Sequence, residues 1–242
     1  VTDSIVAVPV QLTEEGVTEA WNALQLAKHP RLQVCAAVSP VQMEYLYHKK
    51  PDGMLATIRE ITAACKAVCN DVEFVADDAT RSDPAFLQQA ICAALEAGAT
   101  TVTLCDAAGT MLPGEFAEFV KSVAKDIDLS KVSVGVRCSN ALSMADACAI
   151  ASVGEGVTEL KAAAYPIDTA SVAAIAKVLS ARGDSLQITS SVQTTQLSRI
   201  MDRVNQICQA GKAKGAALAA PQSDADIYLT AHDDIAAVAK VA

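Results

Sequence analysis

The stretch from Asp71 to Pro113 places the strongest restriction on what this chain can fold into. It begins with a β-rich run over Asp71–Ala76, and a polar turn then ends at Asp83, an N-capping residue directly before a proline. Apolar residues recur at helical spacing until Gly98, a typical helix stop. A second apolar strand follows over Thr101–Cys105 and ends in polar residues. Polar clusters after two successive strands predict the site-bearing end of a parallel α/β sheet.

The same alternation of strand and helix patterns extends over most of the chain. Strands are predicted over 5–10, 31–39, 71–76, 101–105, 132–139 and 159–165, with a helical segment after each. Six βα units in strict alternation predict an α/β fold with a parallel sheet and right-handed crossovers. The pattern alone leaves two forms open, a doubly wound open sheet and part of a barrel.

The C-terminal part of the chain is less regular. A short strand is predicted over 186–190 and a helix over 194–209, followed by a loose connection rich in Ala, Gly and Pro. A last strand and helix are predicted over 227–230 and 233–241. We therefore divide the chain into a main domain over 1–211 and a small extension over 212–242 that packs on it.

Composition excludes several classes of partner. The net charge is −9 and there is no basic run, which argues against nucleic acid and against an anionic membrane surface. No apolar stretch approaches the ~20 residues of a membrane span, and we see no signal peptide. The eight cysteines include no CxxC pair, so free thiols in a reducing cytoplasm are expected.

Several short motifs resemble 2-isopropylmalate synthase and related DRE-TIM metallolyases, which include homocitrate synthase, citramalate synthase and hydroxymethylglutaryl lyase. The matching motifs are Val72-Glu73-Phe74, the run from Asp78 to Pro84, Glu96-Ala97-Gly98-Ala99, Asp106-x-x-Gly109 and Pro113-x-Glu115-Phe116. They occur in the family's order and near its spacing, over roughly residues 21–200. The resemblance implies a TIM barrel whose site holds a divalent metal and a 2-oxo acid, which the synthases condense with acetyl-CoA.

The resemblance also implies an incomplete barrel. The strand at 5–10 resembles the third strand of the family barrel, and the first two βα units have no counterpart in the sequence. The fold expected is thus an N-terminally truncated TIM-type (β/α) barrel of about six βα units plus the C-terminal extension.

Site positions implied by the resemblance are changed one after another. Where the family has a metal-binding His-x-His motif, this sequence has Arg137-Cys138-Ser139. Asp77 stands at the position of the family's catalytic Glu, Ala107 at that of a Thr and Gln33 at that of a His. A guanidinium cannot be a metal ligand, because it stays protonated and repels a dication. We therefore predict no metal and no other bound cofactor. As a hypothesis, Arg137 occupies the metal's place and neutralises Asp77 through charge-assisted hydrogen bonds.

Candidate site residues follow from these changes. Asp77, Arg137 and Gln33 are the catalytic candidates, and Arg137, Ser139 and Asp106 are the candidates for substrate binding. Asp106 has a structural alternative, which is to tie down the next loop through backbone N–H groups. Asp78 and Asp83 are expected in a solvated loop, with Asp83 as a helix cap. Cys35, Cys105 and Cys138 are expected to pack in the core, because no His lies at a strand end to activate a thiol.

Three functions are compatible with this sequence. The first is a catalytically degenerate relative of 2-isopropylmalate synthase, a metal-free binding or regulatory protein that forms a homo-oligomer or pairs with a homologous chain. The second is an active acyltransferase of 2-oxo acids whose missing residues come from another chain or segment. The third is a metal-free enzyme that holds a small carboxylate or 2-oxo acid on Arg137.

Overall fold

Strands and helices alternate along the chain, as the sequence predicts. A computed structural model describes residues 3–165, 168–188, 190 and 192–213. Strands β1 to β6 within this part are Val6–Val10, Pro30–Ala37, Val72–Asp77, Thr101–Asp106, Ser133–Cys138 and Glu159–Lys161. Its α-helices, α1 to α8, are Glu14–Leu24, Pro40–Tyr45, Pro51–Val68, Pro84–Glu96, Pro113–Ala124, Ala145–Ala151, Val172–Leu186 and Thr194–Ala213.

Local sequence signals set several helix ends. The Asp83 carboxylate accepts a hydrogen bond from the Phe86 backbone N–H at 2.9 Å, which caps α4. Thr13 caps α1 in the same way. Gly98 follows α4 with φ +107°, a conformation that favours glycine. The predicted boundaries of α4 at Asp83 and Gly98 are thus confirmed.

The sheet is parallel and its strands follow chain order, β1-β2-β3-β4-β5-β6. The sheet curls strongly, as one contact across it shows. The Arg31 guanidinium on β2 reaches the Glu159 carboxylate on β6, four strands away, at 2.8 Å. The concave face of the curled sheet is called the lumen below. The prediction of an incomplete TIM-type barrel is therefore confirmed.

The core lies mainly between the convex face of the sheet and the helices. Phe74, Leu104 and Val136 on the strands are fully buried there together with Phe116 of α5. The lumen face carries a small apolar cluster of Cys35, Val75 and Cys105 together with several charged and polar groups. This division leaves the chemistry of the sheet on its concave face.

The prediction of a short strand over 186–190 is wrong. Helix α7 continues to Leu186, and Gln187 then turns with φ +57°. The Ile188 N–H closes the turn by donating to the Gly183 carbonyl at 2.9 Å, a helix-stop pattern. Residues 214–242, which contain most of the predicted extension with its strand and helix, lie outside the described residues. None of the described helices is both long and apolar enough to cross a membrane.

Candidate functional site at the mouth of the lumen

Arg137 and Asp77 form an ion pair at the carboxyl end of the sheet, and we call it the mouth pair. Arg137 Nη2 lies 2.6 Å from Asp77 Oδ1. Asp77 ends β3 and Arg137 lies one residue before the end of β5, and alternate strand residues bring both side chains to the lumen face. The Arg137 side chain is 40% exposed and the Asp77 side chain 6%. The predicted contact between these residues is thus observed.

Buried neighbours surround the mouth pair. Burial raises the pKa of Cys105 to about 12. The nearby Asp77 carboxylate also raises this pKa, whereas the Arg137 guanidinium lowers it. Burial and Asp77 also raise the pKa of Cys35 and of Tyr47 above their ordinary values. These thiols and the phenol are therefore neutral near pH 7. Cys35 and Cys105 are packed in the core, as predicted, and are not activated nucleophiles.

One atom of the mouth pair has no partner among the residues that the structure describes. Asp77 Oδ2 is shielded from solvent and accepts no hydrogen bond from any of them. The Cys105 thiol interacts with the Asp77 carboxylate, which helps to raise the Cys105 pKa. An S–H is a weak donor, however, and Oδ2 has no hydrogen-bond partner among the described residues. A buried, unpaired carboxylate oxygen is uncommon and marks a place where a bound group can complete the hydrogen bonding.

A second set of charged groups lies deeper in the lumen, and we call it the lumen network. It consists of Arg31, Gln33, Glu73, Thr103, Glu159 and Lys161. Glu73 is fully buried at its centre and contacts Thr103 Oγ1 at 2.5 Å, Lys161 Nζ at 2.8 Å and Gln33 Nε2 at 2.9 Å. Arg31 and Lys161 each bind Glu159 at 2.8 Å. The network thereby connects β2, β3, β4 and β6.

Gly135 leaves room for this network. It is the register partner of Thr103, and a Cβ atom on it would approach Thr103 Oγ1 to 2.5 Å. That hydroxyl donates to Glu73. A side chain at this position would therefore displace a hydrogen bond of the central carboxylate.

The structure separates Gln33 from the other catalytic candidates. Gln33 is the register partner of Glu73, whereas Asp77 pairs with Ala37. Four residues along a strand correspond to about 13 Å. Gln33 therefore belongs to the lumen network and does not contact the mouth pair.

Asp106 holds a loop in place. Its Oδ1 atom accepts hydrogen bonds from Thr80 Oγ1 at 2.9 Å and from the Gly109 N–H at 3.1 Å. The structural alternative raised for Asp106 thus describes its observed contacts. They do not test substrate binding by this residue, which stays a prediction.

Ser139, the other candidate for substrate binding, also bonds within the fold. Its hydroxyl donates to Asp168 Oδ1 at 3.0 Å, and the next N–H, from Asn140, approaches the same oxygen at 3.3 Å. The hydroxyl oxygen can still accept a hydrogen bond.

The expectation that Asp78 lies in a solvated loop is wrong. Asp78 is fully buried and adopts φ +59°, and Arg81 binds its carboxylate with two nitrogens, at 2.7 to 3.0 Å. Arg81 follows Asp78 by three residues across a short 3₁₀ turn, so the two side chains meet over the loop. The Asp-Ala-Thr-Arg motif that begins at Asp78 therefore has a structural role, which is to hold the loop after β3 in its shape.

The residues present do not fit a divalent metal at the mouth. Among the residues that the structure describes, no three His, Cys, Asp or Glu side chains gather into a possible metal site. The one carboxylate that resembles a family site residue, Asp77, is already bound by a cation from Arg137. Guanidinium nitrogens have no lone pair to offer to a metal.

The lumen network was not identified from the sequence. Glu73 belongs to one of the motifs shared with the family, which gave it no role of its own. Polar residues nevertheless interrupt three predicted strands, at Arg31, Gln33, Glu73, Glu159 and Lys161. Polar residues at alternate positions in several neighbouring strands were the available signal.

A curled parallel sheet with ionisable groups at its carboxyl end defines a protein of the (β/α)-barrel class. The chain belongs to the HMGL-like family, whose sequence model matches residues 1–204. It is similar to a probable 2-isopropylmalate synthase of Glycine max, with 32% identity over 177 residues, 71% of this chain and 31% of the relative. It is also similar to 2-isopropylmalate synthase of Ruminiclostridium cellulolyticum, with 30% identity over 77% of this chain and 38% of the relative.

A solved structure shares the fold. Hydroxymethylglutaryl-CoA lyase from Pseudomonas aeruginosa superposes with a TM-score of 0.68 and 16% identity, over 96% of this chain and 75% of that one. The chain spans only about a third of the length of the two curated relatives.

Proposed function

We propose that this chain is a catalytically degenerate relative of the 2-isopropylmalate synthases that acts as a metal-free binding or regulatory protein. The observation that supports this proposal is the 2.6 Å contact between Arg137 Nη2 and Asp77 Oδ1. A cation of the chain itself neutralises the carboxylate, so a bound dication has no charge left to balance there. No acid–base step is assigned to Asp77 or Arg137, because each is committed to the other.

A small carboxylate is the ligand class that suits Arg137. Within the described part of the chain, its Nε and Nη1 atoms make no hydrogen bond, and 40% of the side chain is exposed. A guanidinium presents parallel N–H donors that match the two oxygens of a carboxylate. Ser139 follows the end of β5, two residues after Arg137, and its hydroxyl remains the other candidate for ligand binding in this proposal.

The alternative function is an active acyltransferase that condenses a 2-oxo acid with acetyl-CoA. Relatives named 2-isopropylmalate synthase match this chain at about a third identity, which favours it. In this alternative, a divalent metal and the missing site residues are supplied together with another chain or segment. Arg137 would then have to leave Asp77 before a metal could bind.

We further propose that the protein works in the cytoplasm as a homo-oligomer or paired with a homologous chain. In the described part of the chain, the edge strand β6 pairs only with β5 among the six strands, and an unpaired strand edge favours pairing with another chain. A regulatory role would follow from pairing with an active homologue, since the two chains would share one fold.

Turnover measurements separate the two functions. The protein is incubated with a 2-oxo acid, acetyl-CoA and Mg²⁺, Mn²⁺ or Zn²⁺, and release of free coenzyme A is followed. The protein is assayed alone and together with an active homologue. We expect no release by the protein alone. Release that is lost in Asp77→Asn would contradict the proposed function and support the alternative.

A further inference from the structure

The free hydrogen-bonding groups of the mouth pair define the ligand more narrowly. We propose that the mouth pair recognises a small carboxylic acid that carries a hydrogen-bond donor, an ammonium or a hydroxyl, on the carbon next to the carboxylate. A 2-oxo acid lacks this donor and is the poorer ligand. This inference rests on the proposed function, in which Arg137 binds the carboxylate.

The two free groups have opposite hydrogen-bonding character. Arg137 offers only donors, through Nε and Nη1, which have no partner among the described residues. Asp77 offers only an acceptor, through Oδ2, which is buried without a partner. The complementary ligand therefore carries an acceptor pair for Arg137 and, next to it, a donor for Asp77.

Geometry keeps these two groups together. Arg137 holds Oδ1 of the same carboxylate at 2.6 Å, so Oδ2 lies beside the bound guanidinium. Because the Arg137 side chain is far more exposed than that of Asp77, an entering ligand meets the guanidinium first. A carboxylate held by the second N–H of Nη2 together with Nε–H or Nη1–H lies next to Asp77, because Nη2 itself contacts Oδ1. The proposal requires the exposed Arg137 side chain to shift on binding, since Oδ2 is shielded from solvent in this arrangement.

A keto oxygen is a mismatch at this position. It is an acceptor only, so a 2-oxo acid places a second acceptor toward Oδ2 and leaves that carboxylate oxygen unpaired. A 2-hydroxy or 2-amino acid supplies the missing donor instead. Sites built to hydrogen-bond a donor discriminate strongly against analogues that lack it.

Charge balance favours the ammonium over the hydroxyl. The mouth pair has no net charge, since one cation meets one anion. The lumen network contributes two cations, Arg31 and Lys161, and two carboxylates, Glu73 and Glu159, and Arg31 also pairs with a third carboxylate, that of Asp71, at 2.9 Å. A simple monoanion therefore enters a lumen that has no surplus positive charge, whereas a zwitterion brings no net charge with it.

Four acids with the same three-carbon skeleton test the inference. Propionate, pyruvate, L-lactate and L-alanine are titrated into the wild-type protein, and binding is measured by ligand-observed NMR and by thermal shift. We expect L-alanine to bind at least about tenfold more tightly than pyruvate, with L-lactate between them, and propionate, which has neither a donor nor an opposing acceptor, to bind more weakly than L-lactate. Arg59→Gln removes an exposed ion pair with Glu96 on the helices and serves as a control that leaves this order unchanged.

Two variants assign the effect to the mouth pair. Asp77→Asn replaces the acceptor oxygen with an amide that can also donate, and we expect it to shift the preference from L-alanine toward pyruvate. Arg137→Gln removes the carboxylate anchor, and we expect it to weaken all four acids. If Arg137→Gln does not fold, the order of the four acids on the wild type and in Asp77→Asn decides.

The outcomes distinguish this inference from the proposed function. Pyruvate binding as tightly as L-alanine or L-lactate would overturn the inference and leave carboxylate binding intact. If none of the acids binds the wild type, or if a folded Arg137→Gln binds them equally well, carboxylate binding at Arg137 and the inference fall together.

Discussion

Arg137 and Asp77 show how the chemistry of a site depends on single residues. The resemblance to the metallolyases placed both at positions near a metal, and the alternation of side chains along strands indicated that they face the same space. Their 2.6 Å contact agrees with that reasoning. Gln33 was grouped with them by the same resemblance, yet it lies in another layer of the lumen beside Glu73. Depth along the strand depends on register, which the sequence motifs did not provide.

Glu73 depends on its partners more than any other residue of the lumen network. Replacing Glu73 by Gln removes the charge that faces Lys161 and leaves a fully buried amide among groups arranged for a carboxylate. We expect the free energy of unfolding to fall by about 2–4 kcal/mol, as measured by urea denaturation. Glu96→Gln, on an exposed helix end, is the matched control and should change it by less than about 0.5 kcal/mol. Equal effects of the two substitutions would show that the network does not stabilise the fold.

Glu159 gives the protein a defined response to acid. Burial alone would raise its pKa, but hydrogen bonds from Arg31 and Lys161 outweigh burial, and the pKa of Glu159 is lowered. A lowered pKa in the folded state contributes stability above the ordinary glutamate pKa, and this stability is lost as the pH falls through the lower folded value. We expect thermal unfolding scans between pH 6 and about pH 3 to show a shallower loss of stability in Glu159→Gln than in the wild type. Glu118→Gln, which is exposed, should keep the wild-type slope, and a wild-type slope in Glu159→Gln would contradict the prediction.

At the scale of single elements, some helix ends can be predicted from neighbouring residues, whereas others depend on tertiary packing. Asp83 and Gly98 could be read directly as the ends of α4, because capping and left-handed turns depend on neighbouring residues. The end of α7 could not, since the helix continues to Leu186, where the sequence pattern predicted the start of a strand, and ends in the turn at Gln187. Polar residues such as Ser180 and Asp184 do not decide between helix and loop without knowledge of packing.

Strand β1 has an outer edge that is poorly suited to accept another strand. The Val6 N–H donates to the His29 carbonyl at 2.9 Å, so by alternation Ala7 and Pro9 direct their backbone nitrogens away from β2. Proline has no N–H, and proline on an edge strand hinders pairing with further strands.

Restoring the missing donor tests this role of Pro9. We expect Pro9→Val to increase self-association above the wild-type level in sedimentation velocity experiments, because the outer edge then presents consecutive N–H groups. Ala7→Pro, which removes the other outward donor, should not increase it. An unchanged sedimentation profile of Pro9→Val would show that Pro9 does not limit edge pairing.

At the scale of the whole molecule, parallel pairing was predictable from the βα units, whereas strand order and curvature were not. Six alternating βα units predicted a parallel sheet, and only the family resemblance favoured a barrel, in which strands follow chain order. The units could not show that β2 and β6 approach each other across the lumen, because the contact between Arg31 and Glu159 joins residues 128 positions apart. The ionic character of the lumen follows from that curvature, since polar residues on four strands become neighbours only when the sheet curls.

The central claim is that Arg137 stands where the family places a metal. Isothermal titration calorimetry of the wild-type protein with Mg²⁺, Mn²⁺ and Zn²⁺ tests it most directly, with Asp77→Asn as the reference that separates binding at the mouth from binding at surface groups. We expect the same weak or absent heat in both proteins for all three metals. Tight binding to the wild type that is lost in Asp77→Asn would contradict the claim.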